Sequence, residues 1–272
     1  MDTITVDGSL CTKCGTCSEV CPMGIVIPAG KNNLPYVEEG MSGLCILCGH
    51  CEAFCPEKAL KHSFRPDDRE YQPEGTGEIS PEDIDLYLKK RRSVRLYTKD
   101  PVQKEKIAEL LDIARYAPSG GNGQTVEWIV VYDFEKVRRI AELTIEWMKT
   151  LVNVSHPMSG LMGGLITAFE GGNDVICRNA PHLLFAHIPE GNPVSPVDAI
   201  IALTNFDVAA PAFGIGTCWA GFVSMAASSY KPLQDEIGIP DGRKVGYAVM
   251  FGYPRYQAKS VPGRNPVKVT WI

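Results

Sequence analysis

The chain has 272 residues, 44% of them hydrophobic and 22% charged, with a formal net charge of −5 and a pI near 5.6. That length suits two domains, the composition is that of an ordinary soluble globular protein, and the acidic balance argues against a nucleic-acid surface. No uninterrupted apolar stretch approaches the length of a membrane span.

The first predicted element is a strand at residues 4–6. It leads into a loop reading Cys11-x2-Cys14-x2-Cys17-x3-Cys21-Pro22. A second strand, at 34–37, precedes Cys45-x2-Cys48-x2-Cys51-x3-Cys55-Pro56, in which each cysteine lies 34 positions after its counterpart. The segment is therefore an internal duplication. Loops this short wrap three thiolates around one face of a metal cluster, and the proline turns the chain away. A zinc site uses Cys-x2-Cys pairs set further apart. A disulfide framework suits a short secreted chain, and no signal peptide precedes Cys11.

The spacing is similar to that of bacterial two-cluster ferredoxins, in which the fourth cysteine of each run ligates the other cluster. Carried over, the resemblance implies two [4Fe-4S] clusters. One would be held by Cys11, Cys14, Cys17 and Cys55, the other by Cys45, Cys48, Cys51 and Cys21. Such thiolates need a reducing compartment, so a cytoplasmic protein is expected. Residues 1–62 thus read as a ferredoxin-like domain. Rich in glycine and poor in aliphatic side chains, it is expected to need its clusters in order to fold.

Residues 63–79, polar and rich in Pro, Gly and acidic side chains, read as a surface linker. A second domain, 80–272, opens with a helix start in which Ser80 is placed to N-cap, Pro81 sits at the first helical position and Asp83 follows at capping-box spacing. Ile84, Tyr87 and Leu88 form its apolar face, and Arg91 falls on the same face. A second helix is predicted from Asp100-Pro101, with Ile107, Leu110, Leu111 and Ala114 inward. A strand at 127–132 follows. Asp133 is placed to cap a long helix whose Val137, Ile140, Ala141, Thr144, Met148 and Leu151 face inward. The Gly- and Met-rich stretch 152–172 has the composition of an adaptable flap or channel lining. A buried strand is predicted at 181–188. Ser195-Pro196-x-Asp198 repeats the capping signature before a helix, 199–215, that is apolar on nearly every side and bent by Pro211. Strands near 217–221 and at 244–252 complete the regular elements. The tail beyond Tyr253 carries four basic residues and three prolines without helical period, and is expected to lie on something, such as a partner subunit.

Four segments of this domain carry chemistry together. Arg91-Arg92-Ser93-x-Arg95 offers three guanidinium groups and a hydroxyl suited to a phosphate, although alone it also reads as a solvated cationic helix end. Pro118-Ser119-Gly120-Gly121-Asn122-Gly123-Gln124 lets backbone approach a flat ligand and supplies amide donors and acceptors, although alone it is also a plain turn. The third is Gly214-x-Gly216-Thr217-Cys218-Trp219-Ala220-Gly221-Phe222. The fourth is Gly252-Tyr253-Pro254 with Arg264-x-Pro266.

In this order and at these separations the four resemble the nitroreductase family of flavoproteins, over about residues 81–272. The whole chain then resembles a ferredoxin–nitroreductase fusion of the kind associated with anaerobic bacteria and archaea. The resemblance implies an α+β fold: a sandwich of a mixed sheet flanked by helices, in a domain-swapped homodimer with FMN at the interface and the C-terminal tail wrapping the partner. It further implies that Arg91, Arg92, Ser93 and Arg95 hold the ribityl phosphate and flavin edge, with Arg264 a second phosphate contact. Pro118, Ser119, Asn122 and Gln124 would come from the other subunit and line the isoalloxazine, and Ala220 and Gly221 would offer backbone N–H groups near its reactive edge. The family often has Gln-Pro-Trp where this chain reads Gln124-Thr125-Val126, which changes the packing beside the flavin.

No side-chain acid or base stands out as catalytic. Cys177 and Cys218 read as buried structural thiols, and His156, His182 and His187 as packing or surface residues, with His156 in the flap region. The combination implies an FMN-dependent oxidoreductase, fed single electrons through two clusters from a ferredoxin or similar low-potential donor, that reduces a small organic acceptor such as a nitroaromatic, quinone or activated alkene. Two alternatives stay open: NAD(P)H oxidation with electrons passed outward through the clusters, or a non-catalytic electron carrier. No Rossmann fingerprint follows a strand, but nitroreductases bind nicotinamide without one.

Overall fold

The computed structural model describes residues 4–63, 77–152 and 158–272. The linker expected at 63–79 lies largely outside the described residues, and His156 lies wholly outside them. The chain divides into a smaller unit, residues 1–78 with 121–123, and a larger one made of the rest.

In the smaller unit, β1 (Ile4–Val6) pairs antiparallel with β4 (Leu60–His62), and β2 (Val26–Ile27) with β3 (Tyr36–Val37). One-turn helices α1 (Thr16–Glu19) and α2 (His50–Ala53) sit inside the two cysteine runs. The duplication is written into the backbone. Gly15 (φ 85°) and Gly49 (φ 72°) both open their helices in the left-handed region, and Lys13 (φ 59°) and Leu47 (φ 53°) adopt it two residues earlier. The buried apolar set is small: Ile4, Ile25, Val26 and Leu60, with the cysteines Cys17 and Cys51 among them.

The larger unit is a three-layer sandwich. Its sheet runs β5-β6-β8-β7, from β5 (Glu127–Val131), β6 (His182–Pro189), β8 (Arg243–Gly252) and β7 (Gly216–Trp219). Alternation along β6 divides the core, with Leu183 and Phe185 facing one layer and Leu184, Ala186 and Ile188 the other. The first layer holds α5 (Phe134–Val152), α6 (Ser159–Glu170), α8 (Gly221–Ala227) and α9 (Lys231–Ile237). The second holds α4 (Lys104–Ala114) and α7 (Ser195–Ala209). The α+β sandwich therefore stands, but the mixed sheet does not: among the described residues all three pairings are antiparallel. The long helical excursions between neighbouring strands do not close parallel β-α-β crossovers here.

The other departures have local causes. Helix α3 (Pro81–Lys90) begins as predicted, with Ser80 Oγ accepting from the Asp83 N–H at 3.0 Å, but Ile84 and Leu88 are exposed within one chain. The second helix starts at Lys104 rather than Pro101, because the Val102 N–H donates to His182 Nε2 at 2.9 Å and holds that stretch extended. Ser195 is not an N-cap. Asn192 Oδ1 accepts from the Val194 and Ser195 N–H groups, and the Ser195 hydroxyl bonds Thr125 at 2.7 Å. Pro211 ends α7 in a 3-10 turn instead of bending it, and Gly214 (φ 73°) closes that turn. The stretch expected to be a flap is, over its described part, the helix α6.

His182 bridges two backbone groups, with Nδ1–H donating to the Tyr132 carbonyl at 2.9 Å while Nε2 accepts from Val102. Burial lowers its pKa, and burial followed by the Arg243 charge lowers that of His187. A depressed imidazole stays neutral in the folded chain, whereas the unfolded chain protonates it below about pH 6.5. The resulting stability is complete above that pH and is lost as the pH falls below it, by up to about 1.4 kcal/mol per pH unit for each histidine. Denaturant unfolding followed by tryptophan fluorescence should show this slope between pH 7 and 5, since all four tryptophans lie in the larger unit. His182→Gln should flatten it, and an unchanged slope would exclude His182 as its source.

Candidate functional site

The eight repeated cysteines gather into two cages. One cavity of the smaller unit is lined by Cys11, Cys14, Cys17 and Cys55, and another by Cys21, Cys45, Cys48 and Cys51. Each cage takes three thiols from one half of the duplication and one from the other. Positive-φ residues curl each loop around its cavity. Burial raises the Cys17 thiol and pushes Cys51 up to about 11, while the Thr16 hydroxyl lowers Cys14. For Cys21, burial is the largest influence and acts upward, but the backbone N–H groups around it outweigh this and the net shift is downward. Four thiols around one cavity are a donor set that fits an iron–sulfur cluster, and a thiol gives up its proton on coordination. The Ala59 N–H also donates to Cys55 Sγ at 3.2 Å.

In the larger unit the arginine segment is fastened to β7. The Val94 N–H donates to the Thr217 carbonyl at 2.8 Å, and a Cβ at Gly216 would overlap the Val94 side chain, 2.8 Å from its Cβ, so this approach requires glycine. Arg91 and Arg92 line a cavity of about 320 Å³ with Gly214, Gly216, Thr217 and Pro254. Arg92 Nη1 donates to the Lys89 and Arg91 carbonyls, closing the end of α3. Arg91 Nη1 is buried without a hydrogen-bond acceptor among the described residues, and its 3.5 Å approach to Asp207 Oδ2 is an ion pair outside hydrogen-bond geometry. A buried guanidinium donor left open beside a cavity fits an anionic group such as a phosphate.

The remaining expected contacts do not gather there. Arg95, Ala220 and Gly221 line a separate cavity of about 320 Å³. The Ala220 N–H is engaged by the Ala248 carbonyl at 2.9 Å, so of the expected pair only the Gly221 N–H stays in play for a ligand. Ser93 sits half-buried between the two arginines, and its carbonyl lies 3.5 Å from Arg95 Nη1. Pro118, Ser119 and Gln124 line a third, smaller cavity, and Ser119 Oγ accepts from the Gln124 N–H at 3.0 Å. Asn122 belongs with the smaller unit, where its amide donates to the Ile46 and Leu47 carbonyls at 3.0 Å each. Arg264 is exposed in the tail.

Residues 88–253 match the Nitroreductase family, and residues 10–60 match the 4Fe-4S dicluster domain. The chain belongs to the nitroreductase family. A relative from Archaeoglobus fulgidus, provisionally named an NADH dehydrogenase/NAD(P)H nitroreductase, is 31% identical over 61% of this chain and 82% of its own length. An FMN reductase [NAD(P)H] of Bacillus subtilis is 41% identical over 50% of this chain, which spans about half of that protein (53%). Among solved structures, a nitroreductase with bound FMN from Desulfitobacterium hafniense overlays with a TM-score of 0.56 and 20% identity, over 69% of this chain and 96% of that one. That likeness concerns the fold.

Two residues of this nitroreductase site were not singled out from sequence. Asp207, 5% exposed, accepts from the Thr217 hydroxyl and from Trp219 Nε1 at 3.2 Å while pairing with Arg91, so it ties three elements of the site together. Its signal was available: it is the acid near the C-terminal end of a mostly apolar helix. Arg178 lines the cavity of Arg95 and Gly221 from a loop with φ 59°, held by the Asp174 carboxylate, which accepts from the Ile176, Cys177 and Asn179 N–H groups. Nothing in the spacing marked it. Cys177 and Cys218 are buried, and burial raises both thiols.

The Gly216 contact gives a direct test. Gly216→Ala should destabilise the larger unit by about 1–3 kcal/mol through overpacking. Adding Val94→Ala should restore most of that loss, read as a non-additive double-mutant cycle in denaturant unfolding. Strict additivity would mean that the two residues do not constrain each other.

Proposed function

We propose that the chain is an FMN- and iron–sulfur-dependent oxidoreductase that takes single electrons through two [4Fe-4S] clusters, from a ferredoxin or a similar low-potential donor, and reduces a small organic acceptor at the flavin. The observation that carries this reading is the presence, on one chain, of two four-cysteine cages and an arginine-lined cavity in a nitroreductase unit. When bound, the clusters carry electrons singly and the flavin exchanges one or two.

The ligand sets are Cys11, Cys14, Cys17 and Cys55 for one cluster and Cys45, Cys48, Cys51 and Cys21 for the other. The linings of the two cavities support both sets. In the flavin site Arg91, with its open buried donor, binds the phosphate. Arg92 positions the end of α3 beside it. Ser93 and Arg95 continue the same segment toward Gly221, and Arg264 adds a contact from the tail.

A homodimer with FMN between the subunits accounts for three features of the isolated chain. The apolar residues of α3 are exposed, the tail is solvated with Val267 at 86% and Trp271 at 91%, and Pro118, Ser119 and Gln124 lie apart from Arg91. A second copy would bring Pro118, Ser119 and Gln124 to the flavin and would cover the tail. The acceptor class is a nitroaromatic, quinone or activated alkene.

The names of the two relatives favour a second reading, in which NAD(P)H reduces the flavin and electrons leave through the clusters. Anaerobic stopped-flow separates the two: flavin bleaching faster with NADH than with reduced ferredoxin supports the outward direction, and the converse supports the inward one.

Arg91→Ala should lose FMN on desalting while the broad cluster absorption persists. Retention of the flavin at wild-type occupancy would remove Arg91 from the phosphate site. Cys14→Ser should abolish ferredoxin-driven turnover while leaving dithionite-driven turnover of a nitroaromatic. Full ferredoxin-linked activity in that variant would contradict the inward path.

A further inference from the structure

The two halves of the duplication are not equivalent beside their cages. β4 ends in His62, and the position 34 residues earlier is Pro28. His62 is 2% exposed, lines the cage of Cys21, Cys45, Cys48 and Cys51, and brings Nε2 to 3.3 Å from Cys45 Sγ. Its place is fixed twice over. Its backbone registers against Ile4 in the β1–β4 ladder, and its N–H donates to the Glu52 carboxylate at 2.7 Å. Glu52 is also particular to the second half, since its counterpart 34 residues earlier is Ser18. The first cage has sulfur partners of its own, the Ala59 N–H at Cys55 and the Thr16 hydroxyl at Cys14, but at the site equivalent to His62 it has Pro28, which carries neither a side-chain donor nor a backbone N–H.

A donor on a ligating sulfur acts more strongly on the reduced than on the oxidised cluster, because reduction by one electron adds negative charge that spreads onto the thiolates. Hydrogen bonds to the sulfurs are among the features that set cluster potentials. We propose that His62 is a positioning residue for electrons: its Nε2–H donates to the Cys45 thiolate and makes the cage of Cys21, Cys45, Cys48 and Cys51 the one that accepts the first electron. The inference rests on the ligand sets given under Proposed function. The step is a one-electron reduction by the external donor or by a chemical reductant. No bond is made or broken, and the imidazole proton stays on its nitrogen.

The full chain, purified anaerobically, is titrated with dithionite and mediators and followed by EPR, as wild type, His62→Leu, His62→Gln and His50→Leu. His50 is the control, because it faces the same cavity but its Nδ1 lies 3.4 Å from the Cys48 carbonyl. Wild type should show two separated one-electron midpoints. In His62→Leu the higher one alone should fall, by about tenfold in the equilibrium, or about 59 mV for one electron. His62→Gln, which keeps an amide donor, should recover most of the fall, and His50→Leu should leave both midpoints in place. Coincident midpoints in wild type, or midpoints in His62→Leu that stay put or move together, would overturn the inference.

Should His62→Leu assemble poorly, wild type labelled with 15N-histidine still decides the matter. A nitrogen coupling on the cluster reduced first supports the donor, and its absence overturns it. Iron and sulfide contents are measured on every sample. A wild-type chain without iron would instead sink the ligand sets, so the two failures are distinguishable.

Discussion

Each half of the duplicated segment lacks one thiol of its own cage and finds it in the other half: Cys55 closes the first cage and Cys21 the second. This exchange is the constraint from which the smaller unit follows. Its two sheets have only two strands each and its apolar core is a handful of side chains, far less than a domain of this size needs to fold on burial alone. Under the proposed cross-ligation, cluster binding and folding are one event. The left-handed residues at Lys13, Gly15, Leu47 and Gly49 curl the loops that carry these thiols.

The larger unit is held in the opposite way. Its sheet is covered on both faces, and β6 is buried along almost its whole length. The groups proposed to face the cofactor are hung on the margins of that core. The arginine segment pairs its backbone with β7, glycine at 216 permits the approach, and Asp207 is placed where helix, strand and arginine meet. Removing that carboxylate would strand the Arg91 charge as well as the Thr217 and Trp219 donors, which is the most costly way to open a buried polar cluster.

Much of this was legible in the sequence because it is local. Resemblance to two-cluster ferredoxins implied the same division of the eight cysteines that lines the two cavities, capping chemistry marked Ser80 and Asp133, and apolar runs or alternation marked β6 and β8. Long-range partners were not legible. The extended stretch at Pro101 is set by His182, eighty residues on. The start of α7 is set by Asn192 and Thr125 rather than by its own serine. Strand direction is a property of pairing, so the sheet's uniformly antiparallel order could not be read from any one segment. The same holds for Arg178, whose neighbours matter only once its loop is folded around Asp174.

The central claim, that one chain carries two iron–sulfur cubanes and a flavin, is tested most directly by cofactor stoichiometry. Protein purified without oxygen is assayed for iron, acid-labile sulfide, zinc and released FMN against chain concentration from amino-acid analysis. About eight irons, about eight sulfides and about one FMN per chain are predicted. Stoichiometric zinc in place of iron, or a colourless protein after gentle reconstitution with iron, sulfide and FMN, would contradict it.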